Sequence, residues 1–543
     1  MTLYLENRQS TVTWPEPVES TWQMLGGERG CDLAPKLPHL GLADILFMTT
    51  IMNIPRERRP WGMVTWMSGV FALSRPALYA LAERVQQRLL PEEKQLAIAV
   101  PQQKGSTIEV TPVRIARTVL MDSLHGKTAI RPLRHVLREA FDQTRSIGWI
   151  SELLTNAGRK AGHILSNINT TPLGNVIAAR DETFFQGHPL LLVIDPVSTV
   201  ILFAQVTTDR QADTWGAALL MAQEQGVTIS GLVEDMARMY AKSQKEAELD
   251  VPVQKDVWHI ERDSAQVLRD LERAAFRATR QVLKLEKQLG KQWCDSLFDD
   301  KYVAAVAKEE LLYDQHATFA ERLSHLYDAF ELVDWRSGEI RDRSINEWLL
   351  EETLSAMSNI DHPRVQKWLK TLRRHQSQLL TALDWLADSL QPYRQQLGQV
   401  IPLEQQESFM HTVARHWRLQ QALINGQRSF HQQAQDAEAA LQLLVADDSQ
   451  RQQMVAQLLC LLDAACRTSS MMEGINGLVK QFLHNHRAFR NPETLQLYLN
   501  LFVLWHNMRV FERGKRQGKS PYQLAGIDPG ADDWLALLGY PAE

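Results

Sequence analysis

The most apolar run of the chain, Pro189 to Val206, limits the folds that this sequence can adopt. Asp195-Pro196 divides the run into two halves, and each half is shorter than the roughly 20 apolar residues that a membrane-spanning helix requires. Short apolar runs separated by a turn signal are typical of buried strands. The segment NVIAARDETF, which ends just before a Gln-Gly turn signal, adds a further strand. The middle of the chain therefore predicts a sheet.

Length, charge and cysteine usage set broad limits. The 543 residues are enough for several domains, and the formal net charge of −5 means that any DNA-binding surface must be a local patch. The four cysteines include no Cys-x-x-Cys pair, which argues against a structural zinc site and a disulfide framework. The first residues lack the basic start and apolar core of a signal peptide, so we expect a cytoplasmic protein.

Residues 1–172 are predicted to be a helical region with two helix-turn-helix-like units. In the first, WGMVTWMSGVFALSRPALYALAERVQQRLL, Ser74 is placed to cap the second helix. In the second, one helix ends near Phe141 and the next runs from Ile147 to Ala161. Ordinary helical hairpins have the same pattern, but a local excess of basic side chains favours phosphate contacts. The basic residues of the second unit are Arg131, Arg134, Arg138, Arg145, Arg159 and Lys160.

Residues 173–262 change character. Three strand-like segments are followed by a helix from Asp213 to Gly226, the short buried strand ISGLVED, and a further strand in DVWHIE. A three-stranded meander followed by a helix and another strand is the pattern of the first half of an RNase H-like sheet.

Residues 263–455 are predicted to form an all-helical insertion, because heptad-like apolar spacing recurs along them. Its tryptophans are expected mainly in the bundle core, with stacking on a displaced base as the alternative. They are Trp293, Trp335, Trp348, Trp368, Trp385 and Trp417. Residues 456–500 are expected to complete the core, and residues 501–543 to form a basic helix with an acidic, partly mobile tail.

Three carboxylates stand in contexts that suit ligands of a catalytic metal. Asp181 opens DETFFQG before the apolar run, Asp235 ends ISGLVED, and Glu473 lies on a helix far downstream. Carboxylates that converge from three elements can hold two Mg²⁺ ions about 4 Å apart, and Mn²⁺ is expected to substitute. The sequence therefore indicates phosphoryl transfer on nucleic acid.

Other acids near these three are weaker candidates. Asp195 is the main rival for the first ligand, although Asp195-Pro196 is typical of a turn between strands. Glu182 and Glu234 each adjoin a candidate ligand in a strand, so they are predicted to point to the opposite face.

The helix that carries Glu473 has an informative polar face. Lys480 and Arg487 follow at intervals of seven residues, and Asn476 falls close to the same stripe. The opposite face is predicted to be buried, with Met472, Ile475, Val479, Phe482 and Leu483. A solvated helix face explains the polar stripe equally well. His259 could approach the site from the strand predicted in DVWHIE, although a histidine on an apolar strand is commonly a core residue.

A basic run follows the last long helix. Its members Arg509, Arg513, Lys515, Arg516 and Lys519 could contact DNA backbone or form a solvated surface.

Together these segments resemble DDE-type transposases of bacterial insertion sequences, in a group whose catalytic triad is split by a helical insertion. The resemblance lies in DETFF with PLLLVIDPVSTVILFAQ, GLVEDMARMY, VWHIE, RTSSMMEGINGLVKQFLHNHR and LFVLWHNMRVFERGKRQGKSPYQLAGI. It implies that Asp181, Asp235 and Glu473 are the metal ligands. The Glu-x6-Lys spacing implies that Lys480 contacts DNA near the cut.

The same resemblance implies a mechanism and partners. Metal-activated water would cut the 3′ strand at each transposon end, and the freed 3′-hydroxyl would attack target DNA. The N-terminal helices would recognise terminal repeats, and the enzyme would act as a dimer or larger assembly on paired DNA ends in the bacterial nucleoid. The alternatives are an inactive derivative that only binds DNA, and a structure-selective nuclease on the same core.

Overall fold

The computed structural model describes residues 42–54, 59, 62–89, 109–289, 296–445, 448–486 and 489–542. The chain divides into two units, Met1–Glu109 and Val110–Glu543. It is of mixed class, with many helices and a five-stranded sheet in the second unit. In the described ranges, no helix combines the length and the apolar character needed to cross a membrane.

The described part of the first unit consists of three helices: α1 (Leu42–Asn53), α2 (Met63–Val70) and α3 (Arg75–Leu89). Ser74 caps α3, as the sequence predicts, because its Oγ accepts a hydrogen bond of 3.3 Å from the backbone N–H of Ala77. Apolar side chains of all three helices form one small core. The helices of the first predicted helix-turn-helix-like unit are therefore confirmed, while DNA binding by them stays a prediction.

Three further helices begin the second unit: α4 (Pro112–Leu124), α5 (Ile130–Phe141) and α6 (Ile147–Leu165). The predicted end of α5 at Phe141 and start of α6 at Ile147 are confirmed. The buried side chains of these helices share one core with the sheet. The structure therefore divides the chain at Glu109, whereas composition placed the boundary at residue 172.

The sheet forms as the apolar pattern predicts. Its strands are β1 (Asn175–Phe185), β2 (His188–Ile194), β3 (Ile201–Val206), β4 (Thr228–Glu234) and β5 (Val253–Lys255), with helices α7 (Ala212–Glu224) and α8 (Arg238–Glu246) between them. The order across the sheet is β3-β2-β1-β4-β5. β1 and β2 are antiparallel, as are β2 and β3, while β4 runs parallel to β1 and to β5. Gln186 and Gly187 both have positive φ, which is the two-residue turn that suits a hairpin.

The strand predicted over DVWHIE is wrong. β5 ends at Lys255, and a 33-residue helix, α9 (Val257–Leu289), begins two residues later. Asp256 starts this helix because its Oδ1 accepts a hydrogen bond of 2.8 Å from the backbone N–H of Trp258.

α9 opens the helical segment that was predicted as an insertion. It continues with α10 (Ser296–Asp328), α11 (Arg343–Ser358), α12 (Pro363–His375), α13 (Thr381–Val400), α14 (Leu403–Ile424), α15 (His431–Val445) and α16 (Ser449–Ala464). The apolar faces of most of these helices form a second large core, separate from that of the sheet.

The tryptophans of this bundle differ in exposure. Trp368 and Trp417 belong to the core, as predicted, and Trp335 packs edge-on against Phe430. Trp385 instead lies over β4, where a Cβ added to Gly231 would be 2.6 Å from its ring. Trp348 is 64% exposed. Trp293 lies outside the described residues.

The last helices return to the sheet: α17 (Ser470–Asn485), α18 (Pro492–Met508), α19 (Pro521–Leu524) and α20 (Trp534–Leu537). The expectation of a mobile tail is wrong, because Trp534, Leu535 and Leu538 are buried in the core of the sheet unit. Lys160 holds this segment with a hydrogen bond of 2.7 Å to the carbonyl of Leu538.

α18 covers the exposed edge of the sheet. β3 is an edge strand, and such a strand presents unpaired backbone groups. Asn507 accepts from the N–H of Ile201 at 2.9 Å and donates to its carbonyl at 3.0 Å, as a neighbouring strand would. Gln496 likewise accepts from the backbone N–H of Val206 at 2.7 Å and donates to the carbonyl of Ala204 at 3.2 Å. Two side-chain amides therefore replace a missing strand.

Helices α6 and α18 approach each other closely, and this yields a stability prediction. A Cβ added to Gly158 would lie 2.6 Å from the carbonyl carbon of Leu497, which is backbone and cannot move alone. We expect Gly158→Ala to lower the free energy of unfolding by about 3 kcal/mol through overpacking. In urea denaturation, Gly148→Ala is the matched control, because its nearest neighbour atom is 3.8 Å away and α6 gains a better helix former. Equal stability of the two variants would contradict the close approach.

Candidate active site

A buried ion cluster joins three strands on one face of the sheet. Arg180 of β1 is 0% exposed and Glu234 of β4 is 1% exposed, and Arg180 Nε donates to Glu234 Oε2 at 2.7 Å. Lys255 of β5 donates to the other oxygen, Oε1, at 2.7 Å. The guanidinium also donates to Ser243 Oγ at 2.7 Å and lies 4.4 Å from the ring of Tyr240, both on α8. Each charged group of the cluster thereby has hydrogen-bond partners within the protein.

The residues after Arg180 and Glu234 lie on the other face. Side chains alternate along a strand, so Asp181 and Asp235 point away from the ion cluster. The parallel register pairs Ala179 with Val233, so Asp181 of β1 lies near Asp235, the residue that directly follows β4. Their closeness is also evident in the effect of the Asp235 charge on Asp181. Neighbouring strands are about 4.8 Å apart. Lys255 Nζ donates to the carbonyl of Asp235 at 2.9 Å and so fixes this strand end.

The alternative acids have other roles. Glu182 faces away from Asp181, as predicted, and its carboxylate accepts from the hydroxyl of Tyr240 at 2.7 Å and pairs with Arg210. Asp195 is buried in the turn after β2, where it accepts from the backbone N–H of Ser198 at 2.8 Å. Neither carboxylate is therefore placed to replace Asp181.

α17 brings Glu473 and Asn476 to this face. Its predicted buried face is confirmed, since all five of its apolar residues are at most 2% exposed. Asn476 is also buried, and its Nδ2 donates to Asp181 Oδ2 at 2.8 Å. Its Oδ1 is buried without a hydrogen-bond partner among the described residues. Glu473 and Lys480 are exposed on the same side of α17 as Asn476.

The electrostatics of the site favour a cation. Burial raises the pKa of Asp181 to about 7, and the negative charges of Glu182, Asp235 and Glu473 add to the shift. Burial also raises the pKa of Asp235, with the charge of Glu182 contributing. Crowded carboxylates with raised pKa values are common at functional sites. A bound cation would lower these pKa values again, because it favours the ionised form.

His259 lies at this edge, but on the first turn of α9. Its Nδ1 is 2.8 Å from Oδ2 of the fully buried Asp256, which also accepts from the hydroxyl of Ser469. Burial lowers the pKa of His259, but the bond to Asp256, with the charges of Asp256 and Asp235, outweighs it, so the pKa is raised. Ser469 precedes α17, so Asp256 connects the start of α9 to the helix that carries Glu473.

The donor set suits an oxygen-liganded ion. In the part of the chain that the structure describes, no three His, Cys, Asp or Glu side chains are grouped closely enough to hold a metal ion as they stand. Two adjacent aspartates and the unmatched, buried oxygen of Asn476 nevertheless supply the hard ligands that Mg²⁺ prefers. By donor chemistry, Asp181, Asp235 and Glu473 fit the predicted metal.

The residues predicted to contact DNA fall into two groups. Lys480, Arg513, Lys519 and Arg159 are exposed, although Arg159 bonds Asn156 at 2.6 Å. The others make contacts within the protein. Lys160 bonds the C-terminal segment, Lys515 bonds Asp463 at 2.7 Å, and Arg516 bonds the carbonyls of Pro196 and Val197. Arg145 lies over the ring of Trp149, and Arg509 over that of Trp505. Arg487 lies outside the described residues. DNA binding by these side chains stays a prediction.

Compared with known proteins, the chain matches no family model and no curated protein.

The ion cluster and the role of Asp256 were missed in the sequence. A signal was available, since Arg180 in AARDE and Lys255 in VQKD are charged residues beside apolar runs. A charge that is buried with such a run requires a partner of opposite charge. Nothing in the sequence pointed to the pairing of Asp256 with Ser469, because the two residues are 213 positions apart.

The raised pKa of Asp181 yields a pH prediction. An unfolded aspartate ionises near pH 4, so between about pH 4 and pH 7 the folded protein binds more protons and loses stability as the pH rises. We expect Asp181→Asn, in the absence of metal, to be more stable than wild type at pH 8 by on the order of 2 kcal/mol, with the difference vanishing near pH 4.

Urea denaturation at both pH values in a chelator measures this difference. Added Mg²⁺ should stabilise the wild type alone at pH 8. A difference that does not change with pH would contradict the shift at Asp181.

A second prediction concerns the ion cluster. Glu234→Gln leaves Arg180 and Lys255 buried without a carboxylate, and we expect a loss of about 3 to 5 kcal/mol in the free energy of unfolding. Glu246→Gln on α8 is the control, since Glu246 is exposed and 3.9 Å from Lys242. If both variants unfold at the same urea concentration, the cluster does not hold the strands together.

Proposed function

We propose that the chain is a DNA transposase of the DDE type, which uses Mg²⁺ for phosphoryl transfer at DNA ends. The observation that carries the proposal is the parallel register of β1 and β4, which brings Asp181 of β1 close to Asp235, the residue after β4. The charge of Glu473, on a helix from far downstream, acts on the same site.

The architecture supports the same conclusion. The meander β1-β2-β3, followed by α7 and the parallel strand β4, is the arrangement that an RNase H-like core implies. The helical bundle α9–α16 enters after β5 and leaves before α17, so it separates Asp235 from Glu473 in sequence, while the charge of Glu473 still acts on Asp181. This matches the split triad of the family that the sequence resembles.

Each side chain at the edge has a task in this proposal. Asp181, Asp235 and Glu473 would hold the ions, and bound Mg²⁺ would supply an activated nucleophile and a stabilised leaving oxygen. Asn476 orients Asp181 through its hydrogen bond of 2.8 Å. His259, which is oriented by Asp256, would exchange a proton beside Asp235.

The proposed substrate is double-stranded DNA. Lys480 extends from α17 on the side of Glu473 and Asn476, where it would neutralise a phosphate near the cut. The proposed assembly is a dimer or larger complex on paired ends, as the sequence resemblance implies.

Cleavage and joining of labelled DNA that carries the element's ends, with Mg²⁺ or Mn²⁺, tests the proposal. We expect Asp181→Asn, Asp235→Asn and Glu473→Gln to lose more than the roughly 10- to 100-fold that loss of an outer-shell partner costs. Asn476→Ala should fall within that range, because it positions a ligand. Asp213→Asn, an exposed acid on α7, is the control and should retain activity.

The outcomes separate the alternatives. A protein that cleaves DNA but does not join a pre-cut end to target DNA would be a nuclease on the same core. DNA binding without cleavage would identify an inactive derivative. Full activity of any one of the three ligand variants would remove that residue from the proposed site.

A further inference from the structure

The solvent face of α9 carries a long basic stripe. It consists of Arg262, Arg269, Arg273, Arg277, Arg280, Lys284 and Lys287, all of which are exposed. At about 100° per residue, these seven side chains fall within a sector of about 80°. The stripe extends over about 38 Å, since each helical residue rises about 1.5 Å.

Most of these charges have no ion-pair partner among the residues that the structure describes. Arg262 lies 3.5 Å from Asp263, and Arg273 lies 3.7 Å from Asp270, which is also bound by Arg364 at 2.9 Å. Arg277, Arg280, Lys284 and Lys287 form no ion pair with any residue that the structure describes. The outer part of the stripe, from Arg277 to Lys287, therefore has no ion-pair partner in the described ranges.

The neighbouring helix shows that this pattern is not general to the bundle. α9 and α10 both have 33 residues and pack along each other. α9 has seven Arg and Lys against five Asp and Glu, whereas α10 has three against seven. The acids of α9 lie beside the stripe, and Phe276 and Leu283 line one of its edges at 53% and 48% exposure.

The stripe begins at the candidate active site. Arg262 is one turn after His259, and its guanidinium lies 5.0 Å from the ring of Trp258. His259 is near enough to Asp235 for their charges to interact. A polyanion that follows the stripe therefore leads directly to the edge with Asp181 and Asp235.

We propose that the α9 stripe binds the phosphate backbone of double-stranded DNA next to the bond that is cut. This inference rests on the proposed function and adds where the DNA lies. The length of about 38 Å corresponds to about 11 base pairs at 3.4 Å per phosphate along a strand. Arginines on one rigid helix suit phosphates, and the exposed Phe276 offers an apolar contact to sugars or bases.

Charge reversal tests the stripe. The full-length Arg277→Glu/Arg280→Glu variant is compared with Lys301→Glu/Lys308→Glu on α10, which makes the same change in charge at exposed positions. Binding of a fluorescent duplex of about 40 base pairs of random sequence is measured in a chelator between about 50 and 200 mM salt. We expect about tenfold weaker binding by the α9 variant, and a slope of log affinity against log salt smaller by about 2. The α10 variant should bind like wild type.

Each result has one meaning. Equal binding by the two variants, with wild-type circular dichroism, would overturn the stripe. The proposal would also be overturned if the α9 variant lost binding only to a single-stranded RNA probe and not to the DNA duplex. If wild type binds duplex through the stripe but does not cleave with Mg²⁺, the proposed function fails and the stripe stands. If wild type cleaves and both variants bind equally, only the stripe fails.

Discussion

The buried cluster of Arg180, Glu234 and Lys255 determines where the two aspartates of the candidate site lie. Each of the first two residues directly precedes a candidate ligand in its strand. Since side chains alternate between faces, burial of the ion pair on one face sends Asp181 and Asp235 to the other. A slip of one residue in either strand would both unpair a buried charge and turn a ligand into the wrong layer. The cluster thereby specifies the register on which the site depends.

Such a cluster is a costly way to gain stability alone. A buried ion pair loses so much hydration that well-packed apolar side chains in its place are often neutral or better. What apolar side chains lack is direction, because they pack in several registers, whereas Arg180 must meet Glu234, Ser243 and the carbonyl of Tyr240 together. The cluster therefore contributes more to the uniqueness of the fold at this edge than to its overall free energy.

Local signals in the sequence predicted the sheet and its helices well. The apolar run with its Asp-Pro break, the helix pair separated at Phe141 and Ile147, and the apolar face of the Glu473 helix all depend on neighbours in sequence. The failures share one cause. The start of α9 at Val257 depends on the capping carboxylate of Asp256, and the docking of the C-terminal segment depends on Lys160 of α6. The domain division likewise depends on long-range packing that no window of residues contains.

Asp256 also explains how a large helical bundle can interrupt the sheet unit without displacing Glu473. Its carboxylate binds Ser469 across 213 residues, and the backbone N–H of Val257 donates to the carbonyl of Arg467 at 3.3 Å. The chain thus enters and leaves the bundle at one point. Closing a longer connection costs little additional entropy, since the cost grows only with the logarithm of its length. The geometry at Glu473 is then set by the two ends of the bundle and not by its size. α9 begins at the same point, so the basic stripe on this helix starts beside the carboxylates of the sheet.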